Sequence, residues 1–117
     1  MQQFALLLNH APDRYQGLSE DQYMAIIKDY VAWVEDMTAK GAYLGGHKLS
    51  EMPGRTLSSD SGSVEVHESP FAELSEVLGG IMVIQAEDFD DAVRIAKDHP
   101  HMRHNTSMEI KQLEDVD

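Results

Sequence analysis

The sequence predicts an α+β fold made of two βαβ halves around one sheet, and three observations predict it. Two apolar runs, "FALLL" near the start and "IMVI" past the middle, are each followed by an amphipathic helix pattern. Each helix is followed in turn by a further strand pattern. Between the halves lies an alternating, Gly- and Ser-rich stretch with the signature of a hairpin. The order β-α-β, hairpin, β-α-β is the split βαβ or ferredoxin-like arrangement with a hairpin insertion.

Taken in order, residues 3–9 form the first strand, with Phe4, Leu6 and Leu8 on one face and Ala5 and Leu7 on the other. Both rows are apolar, as in an interior strand covered on both sides. The loop "HAPDRYQGL" carries the breakers Pro12 and Gly17. Ser19 is the expected N-cap of a helix of about 20 residues, with Gln22 completing a capping box and Glu20 and Asp21 at the positive end. Tyr23, Ile27, Tyr30, Val34 and Met37 make its apolar stripe, and Gly41 supplies the stop.

Residues 42–49, "AYLGGHKL", read as the second strand, with Gly45-Gly46 marking a bulge or a close backbone approach. Residues 50–66 hold the hairpin around the turn "SSDSG". "GGIMVIQA" is another strand with both faces apolar. Asp88 caps a second helix carrying Phe89, Ala92, Val93 and Ala96 on one face, and His99 and Pro100 end it. Residues 107–113 alternate as a last strand, and 114–117 form an acidic tail. The whole, residues 1–117, is one domain, with the hairpin insert at about 50–67.

Net charge is −12, from 9 basic and 21 acidic side chains, and no three basic residues lie close together. Nucleic acids and anionic membranes, which need clustered Lys and Arg, are therefore not expected partners. Cysteine is absent, which excludes disulfides, thiolate metal sites and a thiol nucleophile. The opening "MQQFALLLNH" lacks a basic region before its short apolar run, so a cytoplasmic protein is expected. Two helices cover only one face of a four-stranded sheet, yet both rows of the interior strands are apolar. A second copy packed face to face, a homodimer, is the economical cover.

The stretch "HESPFAELSEVLGGIMVIQAEDFDDAVRIA", residues 67–96, resembles the YCII-related proteins, and among them the branch named for an Asp-Gly-Pro-Phe motif, which commonly reads "TDGPFAE…KE.LGG". "WVEDMTAKGAYLGGHKL" (33–49) and the closing "MEIKQL" resemble the same family's helix-to-strand junction and last strand. The resemblance implies a ferredoxin-like subunit of a dimeric α+β barrel. It is similar to small cofactor-free enzymes such as muconolactone isomerases and dehydrochlorinases, while some members are linked to sigma-factor regulation. Glu68-Ser69 stand here for the Asp-Gly of the motif, so a Cβ occupies the Gly position.

Two constellations could carry chemistry. His67, Glu68 and Glu73 place an imidazole beside carboxylates, enough for proton transfer on an activated carbon acid and worth about 10²–10⁴ in rate. The same residues also read as a turn, with Ser69 capping Pro70 and Glu73 complementing a helix dipole. His99, His101 and His104 form the second. Their spacing matches no zinc pattern and Pro100 breaks any shared helical face, so no metal is expected; His99 or His101 is instead a candidate acid or base.

His10, at the end of the first strand, is a candidate pocket residue and proton carrier. Phe71 and Trp33 are candidates for an apolar ligand wall, and both also suit a core. No Gly-x-Ser-x-Gly elbow or phosphate-binding loop is present. The expected function is a cofactor-independent lyase or isomerase on a small molecule, needing no cofactor; the alternative is a non-catalytic ligand-binding or regulatory module acting through a protein partner.

Overall fold

In the computed structural model the described residues are 1–69, 76–103 and 106–115. The elements run β1 (Gln2–His10), α1 (Glu20–Ala39), β2 (Tyr43–Lys48), β3 (Gly54–Asp60), β4 (Ser63–Ser69), β5 (Val77–Ala86), α2 (Phe89–Lys97), a single 3₁₀ turn (Pro100–Arg103) and β6 (Ser107–Gln112). Four strands form one antiparallel sheet in the order β2-β5-β1-β6, and β3 and β4 pair separately as a two-stranded ribbon. β1 is thus central, with Leu6 facing Met82 on one side and Ile110 on the other. This is the mixed α+β architecture expected of a split βαβ chain.

The sequence signals act where they stand. Ser19 accepts from the Gln22 amide at 3.1 Å while the Gln22 side chain accepts from the Ser19 amide at 2.9 Å, closing the capping box on α1. Asp88 caps α2 by accepting from the Asp91 amide at 2.8 Å. The core holds Phe4, Leu6, Leu8, Ile84 and Ala86 from the sheet against Trp33 of α1 and Ala92, Ile95 and Ala96 of α2. Phe4 has no exposed surface, and truncating a buried ring of that size costs about 3–5 kcal/mol. On α2 the buried face runs through Ile95, while Phe89 stays 44 % exposed and meets Phe4 edge-on. Ala92 and Ala96 of the expected face are buried, but Ile95 replaces Phe89 and Val93 beside them, which turns the face toward Ile95.

The β3–β4 ribbon stands apart from the sheet and is exposed along its length. Strand β4 continues through His67 and Glu68 to Ser69 instead of ending in a turn before them. Leu57 pairs with Val66 across the ribbon, and both are more than half exposed.

Candidate functional site

The end of the sheet that holds the last residue of β1, the last of β2 and the first residues of β5 borders a cavity of about 260 Å³ under the first half of α1. Its apolar wall comes from Ile26, Ile27 and Val31 of α1 with Leu8 and Met82 of the sheet, and the Ile81 backbone borders it. Its polar groups are His10, Arg14, Tyr15, Tyr30, His47, Lys48 and His101. A cavity of about 150 Å³ holds benzene, so this one has room for one substituted ring.

Backbone shape makes the space. The β1–β5 register shifts between Leu8 and Asn9, Leu8 facing Gly80 and Asn9 facing Leu78, which leaves Gly79 as an extra residue. The His10 ring lies directly on that glycine: a Cβ at Gly79 would fall 2.4 Å from His10 Cδ2. At Gly46, on β2, a Cβ would fall 2.7 Å from both the Ile81 carbonyl and the Tyr43 hydroxyl. Gly46 is therefore a close backbone approach, Gly79 makes room for the His10 ring, and Gly45 adjoins the β2–β5 register shift.

One chain of hydrogen bonds crosses the cavity. Arg14 Nη2 donates to Tyr30 Oη at 2.7 Å, and Tyr30 Oη lies 2.6 Å from His101 Nδ1. His101 Nε2 faces two acceptors, the carbonyls of Asn9 at 2.8 Å and Ser107 at 3.0 Å. Only an N–H can satisfy them, so Nε2 carries the proton, and Nδ1 of the neutral ring accepts from the Tyr30 hydroxyl. The Thr106 hydroxyl donates to the His101 carbonyl. The His101 amide donates to His99 Nδ1 at 2.9 Å, which leaves His99 Nε2 as a donor toward Met82 Sδ at 3.3 Å. His10 Nδ1 donates to the Ala11 carbonyl at 2.6 Å, which turns Nε2 to the other side of the ring.

Burial sets the electrostatics. His101 is pushed down to about 4, mainly by desolvation, with Arg14 and His10 adding to the effect and the two carbonyls opposing it. His99 falls to about 3, again mainly by burial, then by His101, Arg103 and Arg14. The Tyr30 phenol is raised by burial, against the pull of Arg14. Tyr15 is raised likewise, its ring 5.0 Å from Arg14 Cζ and 5.9 Å from Lys48 Nζ.

Of the candidate site residues that the structure describes, His10 and His101 line this cavity, and His67, Glu68, Trp33 and His99 do not. His99 is fully buried behind it, 4.2 Å from the Trp33 ring. Trp33 belongs to the core and not to a ligand wall, its position on α1 being one turn past the cavity. His67 and Glu68 sit on the exposed ribbon. Being consecutive on a strand they face opposite ways, His67 across from Thr56 and Glu68 across from Arg55. The imidazole's nearest carboxylate is Glu65, 3.3 Å away and on the same ribbon face. Phe71, Glu73 and His104 lie outside the described residues. Among the described residues no three His, Asp or Glu side chains gather as metal ligands would, and no helix is long and apolar enough to cross a membrane.

Sequence reasoning missed Arg14, Tyr15, Tyr30, His47 and Lys48. Tyr30 was hidden by its place in the apolar stripe of α1, although a phenol there needs a partner when buried. Arg14 was legible only as part of a polar loop.

A YCII-related domain model matches residues 2–114, nearly the whole chain. The chain belongs to the YCII-related family. No curated protein sequence matches it. Among solved structures, this YCII-related chain is similar to 5-chloro-2-hydroxyhydroquinone dehydrochlorinase (TftG) from Burkholderia phenoliruptrix AC1100, in complex with 2,5-dihydroxybenzoquinone. The TM-score is 0.53 at 12% identity, covering 99% of this chain and 96% of that one, a likeness of fold.

Proposed function

We propose that this YCII-related chain is a cofactor-independent lyase or isomerase that moves a proton on a small carbon acid bound in the 260 Å³ cavity. The observation that carries the reading is the Tyr30–His101 pair, 2.6 Å apart, with the imidazole's tautomer set by two backbone carbonyls. As substrate gives a proton to the Tyr30 oxygen, the phenol's own proton passes to His101 Nδ1. The resulting imidazolium keeps its Nε2–H on the Asn9 and Ser107 carbonyls, the phenol is neutral again and held in place by Arg14, and the substrate carries the negative charge. A base as weak as His101, held near 4, suits a substrate whose C–H bond is already acidic. His10 Nε2, at the end of β1 on the same cavity, is the second proton carrier. The YCII family and the fold shared with a dehydrochlorinase support a lyase of this kind.

The test is hydrogen–deuterium exchange at carbon, followed by NMR in D₂O with hydroxylated quinols, lactones and phenolic acids as substrates. Wild type should accelerate exchange, and Tyr30→Phe and His101→Gln should each slow it about 100-fold. Equal rates in wild type and variants would overturn the reading in favour of a binding module.

We infer in addition that two copies pair through the sheet face away from the helices, as in a dimeric α+β barrel. Leu7 and Val83 point that way and are half-buried within one chain. A molecule 18 Å in its shortest dimension has one sheet and one helix layer, which leaves that apolar row for a second copy.

A further inference from the structure

The cavity of an acidic chain is basic. Its described lining includes Arg14, Lys48 and three histidines, and no Asp or Glu, although acidic residues outnumber basic ones 21 to 9 in the sequence. Arg14 is half-buried and no carboxylate among the described residues pairs with it. Its Nη2 is used by Tyr30, while its Nε is buried and has no hydrogen-bond partner among the described residues. Lys48 meets Glu51 at 3.7 Å, both side chains half exposed, so that pair is weak and leaves the ammonium available. Both cations flank the one Tyr15 ring. A guanidinium withdrawn from water without a counter-charge, and with a donor unused, is costly unless something anionic completes it.

Building on the reading of this cavity as the ligand site, we propose that its ligand carries an ionised acid group, a carboxylate or equally acidic enol oxygen on one small ring, and that Arg14 with Lys48 is the anchor that receives it. A carboxylate bound through Arg14 Nε satisfies the orphaned donor and balances the guanidinium charge, with the Lys48 ammonium adding to the attraction. The ring then lies along Ile26, Ile27 and Met82. Because Arg14 also holds the Tyr30 hydroxyl, the anchored acid fixes the distance from charged end to reacting carbon.

The experiment is calorimetric titration and thermal shift of the full chain with matched acid and amide pairs: benzoate and benzamide, 4-hydroxybenzoate and 4-hydroxybenzamide, phenylacetate and phenylacetamide. The acids should bind wild type roughly 10- to 100-fold more tightly than their amides, the range for a charge-assisted hydrogen bond. Arg14→Gln should erase that preference, Lys48→Gln should reduce it, and Arg14→Lys should keep part of it. Amides that bind as well as acids, or acids that bind Arg14→Gln as tightly as wild type, would overturn the anion anchor. If the amides then lose binding on filling the cavity with Ile27→Trp, the proposed function stands without it. No binding by any pair would overturn both.

Discussion

The Tyr30 hydroxyl and the His101 imidazole, 71 positions apart in the chain, meet at 2.6 Å and close the space between the long helix and the end of the sheet. Replacing Tyr30 with Phe removes the shared oxygen and leaves both Arg14 Nη2 and His101 Nδ1 without their partner. The expected cost is about 1–3 kcal/mol of stability, read from urea denaturation. A variant as stable as wild type would show that water replaces the hydroxyl without loss.

His99 and His101 are 0 % and 1 % exposed and stay neutral in the fold down to about pH 3 and about pH 4. In the unfolded chain each protonates near pH 6.5. Between those limits the unfolded state binds more protons, so stability is fully present above about pH 6.5 and falls as the solution is acidified. At pH 5 the loss is on the order of 2 kcal/mol per histidine, and for His101 it levels off below about pH 4. Denaturant titrations at pH 7 and pH 5 should show a smaller difference for His99→Leu than for wild type. An unchanged difference would mean that the carboxylates, and not this buried ring, govern acid sensitivity.

Gly79→Ala should displace the His10 ring, since the new methyl would lie 2.4 Å from Cδ2. Overpacking of this kind costs about 1–3 kcal/mol. The ring bears on the cavity, so the variant should also lose ligand affinity while keeping the far-ultraviolet dichroism of wild type. Retained affinity would show that His10 contributes nothing to binding.

Leu7→Glu and Val83→Glu place a charge on the open face of the sheet. Wild type should sediment as a dimer at micromolar concentration, and each variant as a single chain of 13.1 kDa. A wild type already at 13.1 kDa would dispose of the pairing.

The layout of strands and helices was legible because it is local. Ser19 with Gln22, and Asp88 before a helix, announce their caps within four residues. The apolar rows of β1 and β5 announce an interior position in the same way. The site was legible only at His10 and His101, whose chemistry shows in any context. Arg14 and Tyr30 lie 16 positions apart and His101 far beyond them, and no periodicity links a loop, a helix and a 3₁₀ turn. His67 and Glu68 looked like a pair because they are neighbours in sequence. Strand geometry separates such neighbours onto opposite faces, as the ribbon does here.

Strand order also bears on biosynthesis. β1 emerges from the ribosome before the other described strands, yet its two neighbours in the sheet are β5 and β6, which follow it by about 70 residues or more. Until Met82 and Ile110 arrive, Leu6 has no strand on either side. Until β5 is made, both edges of this apolar strand stay open, a condition that invites wrong pairing with other chains. Cells that make this protein quickly should therefore need a chaperone on its nascent amino-terminal segment, which the finished fold no longer engages.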